Sequence, residues 1–232
     1  MGITRDDVVH DRIRQRLKQE ISEGQPHILL SDEAFDKTRA QTLEAFEQHD
    51  ELWVFGYGSL IWSPTFEFVD QAVALLPGHA RKFCLWAPSG RGSPERQGLW
   101  LALDDADTAS QCSGVAFRID NDLRDHETLM LWRREMVSGA YLPRVRTALI
   151  NGEEKPCLCL LANKQHERYA GPLPQPTIIE AIALAEGHLG TCREYLFNLV
   201  DKLSSLSVHD QELIELANQV RQFRDKQVPD PA

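Results

Sequence analysis

Apolar residues fall into two kinds of pattern along this chain. Toward both ends they recur at helical spacing. Between Trp53 and Ala162 they sit in short strand-like runs broken by glycine- and proline-bearing turns. Near the start, Val9, Ile13 and Leu17 predict a helix over Asp6 to Glu20. Phe35, Leu43 and Phe46 predict a second over Ser31 to His49, with Ser31 as N-cap and Asp32 and Glu33 suited to its positive end. Gly24-Gln25-Pro26 separates the two. Strands are expected at 72–76 and 82–87 around the turn Pro77-Gly78-His79, then at 99–103 and 113–119. In the last of these Val115, Phe117 and Ile119 alternate with Ala116 and Arg118, as in a half-buried strand. A helix follows over Leu123 to Val137, ended by Gly139, and strands at 144–149 and 156–162 flank Asn151-Gly152. Successive strands without helices between them favour a largely antiparallel, barrel-like sheet. Beyond the stiff connector Gly171 to Pro176, helices are predicted at 177–186, 191–203 and 210–223. The last carries Leu213, Leu216, Ala217, Val220 and Phe223 on one stripe, a packing face. The expected organisation is a helical extension over 1–51, a main domain over 52–226 and a frayed tail over 227–232.

At 232 residues the chain can bury a sizeable core, and its net charge of -10 argues against nucleic-acid binding, which needs a basic face. The five cysteines are odd in number and lack paired spacings, which argues against a disulfide framework or structural zinc and fits a reducing compartment. No apolar run approaches a membrane span of roughly 20 residues. The opening Met1-Gly2-Ile3-Thr4-Arg5-Asp6 has neither a secretory apolar stretch nor the Ser or Thr a myristoylation site wants at position 6.

Candidate chemistry concentrates in two stretches. Trp53-Val54-Phe55-Gly56-Tyr57-Gly58-Ser59-Leu60-Ile61-Trp62 begins as a strand and meets two glycines. Glycine takes positive φ freely and lets a ligand approach the main chain, so this turn can aim several N–H groups at one carboxylate or developing oxyanion. The alternative is a hairpin glycine pair flanked by core aromatics. A third glycine for a dinucleotide fingerprint, a phosphate-loop Lys and a Gly-x-Ser-x-Gly elbow are all missing. The second stretch is Leu131-Trp132-Arg133-Arg134-Glu135-Met136. On a helix Glu135 has Leu131 and Trp132 at minus four and minus three, no basic partner at ion-pair spacing, and neighbouring arginines expected to project elsewhere. Desolvation on that apolar side would favour its proton-bound form, which suits a general base near neutrality. The alternative is a carboxylate reaching water or pairing with a distant arginine. The histidines show no ligand spacing, and Cys157 and Cys159 read as small apolar residues on one strand face.

The two stretches together resemble the ChaC-like, glutathione-specific γ-glutamylcyclotransferases. The resemblance extends through Gly139-Ala140-Tyr141-Leu142-Pro143, Tyr169-Ala170-Gly171-Pro172 and Arg193-Glu194-Tyr195-Leu196-Phe197, over roughly Trp53 to Leu203. It implies an α+β fold with a small mixed or antiparallel barrel and surrounding helices, no metal or organic cofactor, glutathione as small-molecule partner, and action in the cytosol. It implies Glu135 as catalytic acid/base, and Val54, Phe55, Gly56, Tyr57, Gly58, Ser59 and Leu60 as the substrate loop, with Tyr141 and Tyr195 at the pocket. The implied reaction cyclises the γ-glutamyl group to 5-oxoproline and releases cysteinylglycine. Alternatives are the same fold acting on γ-glutamyl amino acids or γ-glutamylamines, or a non-catalytic binder. Cys192 departs from the asparagine often found there in the family.

Overall fold

The computed structural model describes residues 2–24 and 27–227. Gln25 and Pro26 of the expected separator, and 228–232 of the expected tail, lie outside the described residues. In chain order the elements are α1 (Arg5–Val9), α2 (Arg12–Ser22), α3 (Asp32–Ala45), β1 (Leu52–Gly56), β2 (Asp70–Pro77), β3 (His79–Ala87), β4 (Gly98–Asp105) and β5 (Gln111–Ile119). Then follow α4 (Arg124–Glu135), β6 (Tyr141–Ile150), β7 (Glu153–Ala162), α5 (Gln175–Leu184), β8 (Glu186–Gly187), β9 (Gly190–Thr191), α6 (Cys192–Ser205) and α7 (Gln211–Gln227). The chain divides into two compact units, one of Gly2–Arg81 with Leu103–His166, the other of Lys82–Ala102 with the residues from Glu167 on. None of the helices is long and apolar enough to cross a membrane, among the described residues.

The first unit is built on a closed five-stranded barrel. β5 lies antiparallel between β1 and β2, β2 runs antiparallel to β6, and β6 to β7. Parallel pairing of Trp53 with Cys157 and of Val54 with Leu158 closes β7 onto β1. Closure removes the free edges that an open sheet would expose. All five residues of β1 are buried, which explains why Leu52-Trp53-Val54-Phe55 reads as an unbroken apolar run. Cys157 and Cys159 are both fully buried on β7, as their place on an apolar strand face implies.

The N-terminal arm belongs to this unit. The single helix expected over 6–20 is in fact two, because Asp11 takes a left-handed conformation at φ 52°. Thr4 and Asp7 form a capping box that starts α1. At its other end the Arg133 guanidinium donates to the carbonyls of Val9 (2.7 Å) and Val8 (3.3 Å), taking acceptors that a continuing helix would use. Ser31 caps α3 as expected, accepting from the Ala34 amide at 3.1 Å.

α4 carries a carboxylate that the sequence pattern did not single out. Glu127, 1% exposed, accepts from both Arg5 terminal nitrogens at 2.8 Å, from the Glu67 amide at 2.7 Å, and contacts His126 Nδ1 at 2.8 Å. Burial pushes its proton affinity up, but Arg5, the Glu67 amide and His126 outweigh burial and hold the pKa down at about 2. One arm residue is thereby tied to both α4 and the segment before β2.

In the second unit α5, α6 and α7 pack on one another, and Leu213, Leu216, Ala217 and Val220 of α7 are buried along the expected stripe. A capping box between Thr191 and Glu194 fixes the start of α6.

Glu127 has a lower pKa folded than unfolded, so its contribution is complete above the ordinary carboxylate value of 4.5 and is lost as pH falls toward about 2. That contribution should amount to about 3 kcal/mol. Urea unfolding followed across this acid range should show a steeper loss of stability in the wild type than in Glu127→Gln, with the variant also weaker at neutral pH. Parallel curves for the two proteins would contradict the assignment.

Candidate active site

The substrate loop expected from the glycine stretch leaves the barrel at the end of β1. Val54 and Phe55 are fully buried, so their side chains serve the core and any ligand contact they make is through the main chain. Gly56 and Gly58 do not adopt the positive φ expected of turn glycines: Gly58 sits at φ -134° and ψ -130°, and the positive-φ glycines lie elsewhere. Gly56 is instead closely packed. A Cβ there would stand 3.0 Å from Phe117 Cε2 and 3.2 Å from Leu60 Cβ. From Gly58 the chain makes one short 3-10 turn over Ser59–Ile61, whose bonds run from the Ile61 amide to Gly58 O and from the Trp62 and Ser63 amides to Ser59 O.

Three anchors hold this turn. The Tyr57 hydroxyl donates to Leu160 O of β7 at 3.0 Å. Buried Arg81 donates to Tyr57 O at 2.8 Å and also to Ser113 O of β5, fastening the loop to the barrel rim. The third is Arg134. With these carbonyls engaged, the amides of Gly58, Ser59 and Leu60 meet no acceptor among the described residues. They are the N–H groups available for a bound carboxylate or carbonyl oxygen.

Glu135 is the last residue of α4, where Met136 caps the helix by donating to Trp132 O. Its side chain is 18% exposed and Oε1 accepts from Arg134 Nε at 2.7 Å. The sequence-based expectation of an unpaired carboxyl therefore fails. The spacing rule treats adjacent helical residues as diverging, but at a helix terminus the Arg134 side chain turns back across its neighbour. Arg134, 3% exposed, also donates from Nη2 to Ser59 Oγ at 2.8 Å and from Nη1 to Ser63 O and to Thr65 Oγ1 (3.3 Å). One guanidinium thus touches the carboxylate and the loop serine, and residue 135 stands beside the Gly-Tyr-Gly-Ser turn. Glu135 Oε2 has no hydrogen-bond partner among the described residues.

Tyr141 opens β6 opposite Ala162 and is half-buried. Tyr195 lies in the other unit, where it packs edge-on against Phe83 and Trp100, and Arg91 stacks over its ring at 5.3 Å. In that unit burial lowers the Arg91 pKa, while Arg91 Nη1 donates to Thr191 O at 2.8 Å. Burial pushes the Cys192 thiol up to about 11, and its Sγ rests 3.2 Å from Leu99 O, which gives it a structural place. Sequence reasoning missed Arg81 and wrongly expected Arg134 to project away from the site. The available signal was the type of residue, since an arginine inside an otherwise apolar strand or helix end must find several acceptors when buried. Among the described residues no group of His, Cys, Asp or Glu is arranged to hold a metal ion.

Arg134 thus joins the carboxylate to the turn that follows β1, and known proteins share both the fold and the sequence around it. The yeast γ-glutamylcyclotransferase specific to glutathione has the same fold, with a TM-score of 0.69 at 20% identity over 75% of this chain and 96% of the yeast chain. The description "ChaC-like protein" matches residues 52–223 at the level of the family, and the chain belongs to that family. Among individual proteins it is similar to the Escherichia coli K12 glutathione-specific γ-glutamylcyclotransferase, 33% identical over 88% of this chain and 87% of that one. It is also similar to γ-glutamylcyclotransferase 2-3 of Arabidopsis thaliana (31% identity, 73% of this chain and 88% of that one). The human glutathione-specific γ-glutamylcyclotransferase 1 is 30% identical over 73% of this chain and 78% of its own length.

The loop's position depends on close contact between β1 and β5. A Cβ on Gly114 would fall 2.5 Å from Gly56 O and 2.7 Å from Phe55 Cζ, and the backbone oxygen cannot yield without moving β1. Gly114→Ala should therefore lower stability by about 1–3 kcal/mol, read as a lower thermal midpoint, and should weaken ligand binding at the loop. Unchanged stability would mean that β1 is not held as described.

Proposed function

We propose that this protein is a γ-glutamylcyclotransferase acting on glutathione, with Glu135 as its acid/base residue and the 54–60 stretch as its γ-glutamyl loop. The observation that carries this is the joint placement of one open carboxylate oxygen on Glu135 and three unengaged amides on the turn beside it. The names of its relatives, which act on glutathione, favour that substrate. Tyr141 is included as a contact for the same group, and five cysteines buried as thiols suit a reducing cytosol.

Glu135 takes a proton from the substrate α-ammonium, leaving a neutral amine tethered to its own γ-carbonyl. Attack closes a five-membered ring, and tethering supplies the effective concentration that a separate nucleophile would otherwise need. The negative charge gathering on the carbonyl oxygen is met by the amides of Gly58, Ser59 and Leu60. Collapse breaks the γ-carbonyl C–N bond. Over the cycle two protons move from the ring nitrogen to the departing nitrogen by way of Glu135, giving 5-oxoproline and cysteinylglycine with its amine protonated. Elements recognising only the γ-glutamyl end would also accept γ-glutamyl amino acids and amines, so catalytic efficiency across such compounds defines the preference.

Glu135→Gln keeps the size of the side chain and an acceptor for Arg134 while removing the base. It should fold normally and release 5-oxoproline about 10²–10⁴-fold more slowly. Retention of most of the activity would remove Glu135 from the role. Binding of glutathione by the wild type without product over long incubation would replace an enzyme with a binding protein.

A further inference from the structure

Arg134 makes four hydrogen bonds at the site, yet it touches no reacting atom in the scheme above. Resting on the proposed γ-glutamyl chemistry, we propose that Arg134 is a positioning residue that sets the Glu135 carboxylate in register with the substrate loop. Two donors of one rigid fork are divided between the two halves of the site: Nε goes to Glu135 Oε1 at 2.7 Å, and Nη2 to Ser59 Oγ at 2.8 Å. The planar guanidinium fixes the angle between those donors, which a lysine ammonium cannot do. Its remaining terminal nitrogen is tied to Ser63 O and Thr65 Oγ1, so the fork itself cannot swing.

Two consequences bear on the chemistry. Oε1 is occupied, so proton transfer falls to Oε2, and the rotamer of the carboxylate is set before substrate arrives. Ser59 Oγ accepts from the guanidinium, so its own hydroxyl hydrogen is left to donate, and it meets no acceptor among the described residues. That O–H joins the loop amides as a donor to the γ-glutamyl group. Burial keeps this arrangement single, because a desolvated guanidinium that loses an acceptor carries a large penalty. Thr65, the outer end of the chain of contacts, sits at φ 62° and gives its carbonyl to Arg5 at 3.0 Å, so the arm braces the same segment from the other side.

The test compares Arg134→Lys and Arg134→Ala with wild type, each checked for folding by circular dichroism and thermal midpoint. For Arg134→Lys, kcat for 5-oxoproline release from glutathione should fall about 10²-fold, the scale of a misplaced catalytic group, while KM changes far less. Folded Arg134→Ala should regain part of its rate in added guanidinium and none in ethylammonium. Wild-type kcat in the lysine variant, or a folded alanine variant that guanidinium does not revive, overturns the proposal. A second readout needs no turnover: the Arg134 Nε–H resonance in a 15N-labelled sample should be at low field and move upfield in Glu135→Gln. An unmoved resonance overturns the positioning role even if glutathione is cleaved. A resonance that moves in a protein inactive on every γ-glutamyl compound counts against the activity and leaves the bridge standing.

Discussion

The arrangement depends on one buried cation. Arg134 has five N–H donors and almost no water, so it must be surrounded by acceptors or destabilise the fold. Those acceptors come from three places: the end of α4, the turn after β1, and the segment 63–65 leading toward β2. Satisfying the guanidinium therefore draws a helix terminus and a strand terminus together. The carboxylate and the turn that carries the unengaged amides are bridged as a result, without either being held by a flexible loop alone.

The barrel supplies the rigidity. β1 is paired on both sides, antiparallel to β5 and parallel to β7, and its last residue is crowded by Phe117 and Leu60. Arg81 and Tyr57 extend that hold past the final ladder pair, one to β5 and one to β7. The arm then braces the outside through Arg5 and Glu127, a charge cluster whose carboxylate stays ionised despite deep burial because every oxygen has a donor. Rigid support of this kind is what electrostatic stabilisation of a developing charge requires, since donors that reorient during reaction give much of their benefit back.

Much of the fold was legible because its signals are local. The alternation in 113–119, the apolar run before Gly56, the Ser31 cap and the α7 stripe each predict the element that forms. Two kinds of feature were not legible. Parallel closure of β1 onto β7 joins residues about a hundred positions apart, and no periodicity encodes that pairing. The break at Asp11 likewise depends on Arg133 from a distant helix capturing the carbonyls of α1. At the site, residue types were readable and partners were not. Glu135 stood out by its apolar surroundings, whereas the arginine beside it was dismissed on helix-interior geometry that fails in the last turn. At Gly56, crowding by Phe117 and Leu60 stands in place of the left-handed turn expected there.

The central claim is that a carboxylate held beside open amides lets a γ-glutamyl group be cut by its own amine. Glutathione carrying 15N at the α-amine alone tests this most directly. Incubation with the protein should place the label in the ring of 5-oxoproline, with unlabelled cysteinylglycine released in equal amount. Labelled free glutamate as the product would mean hydrolysis by water and would contradict the account.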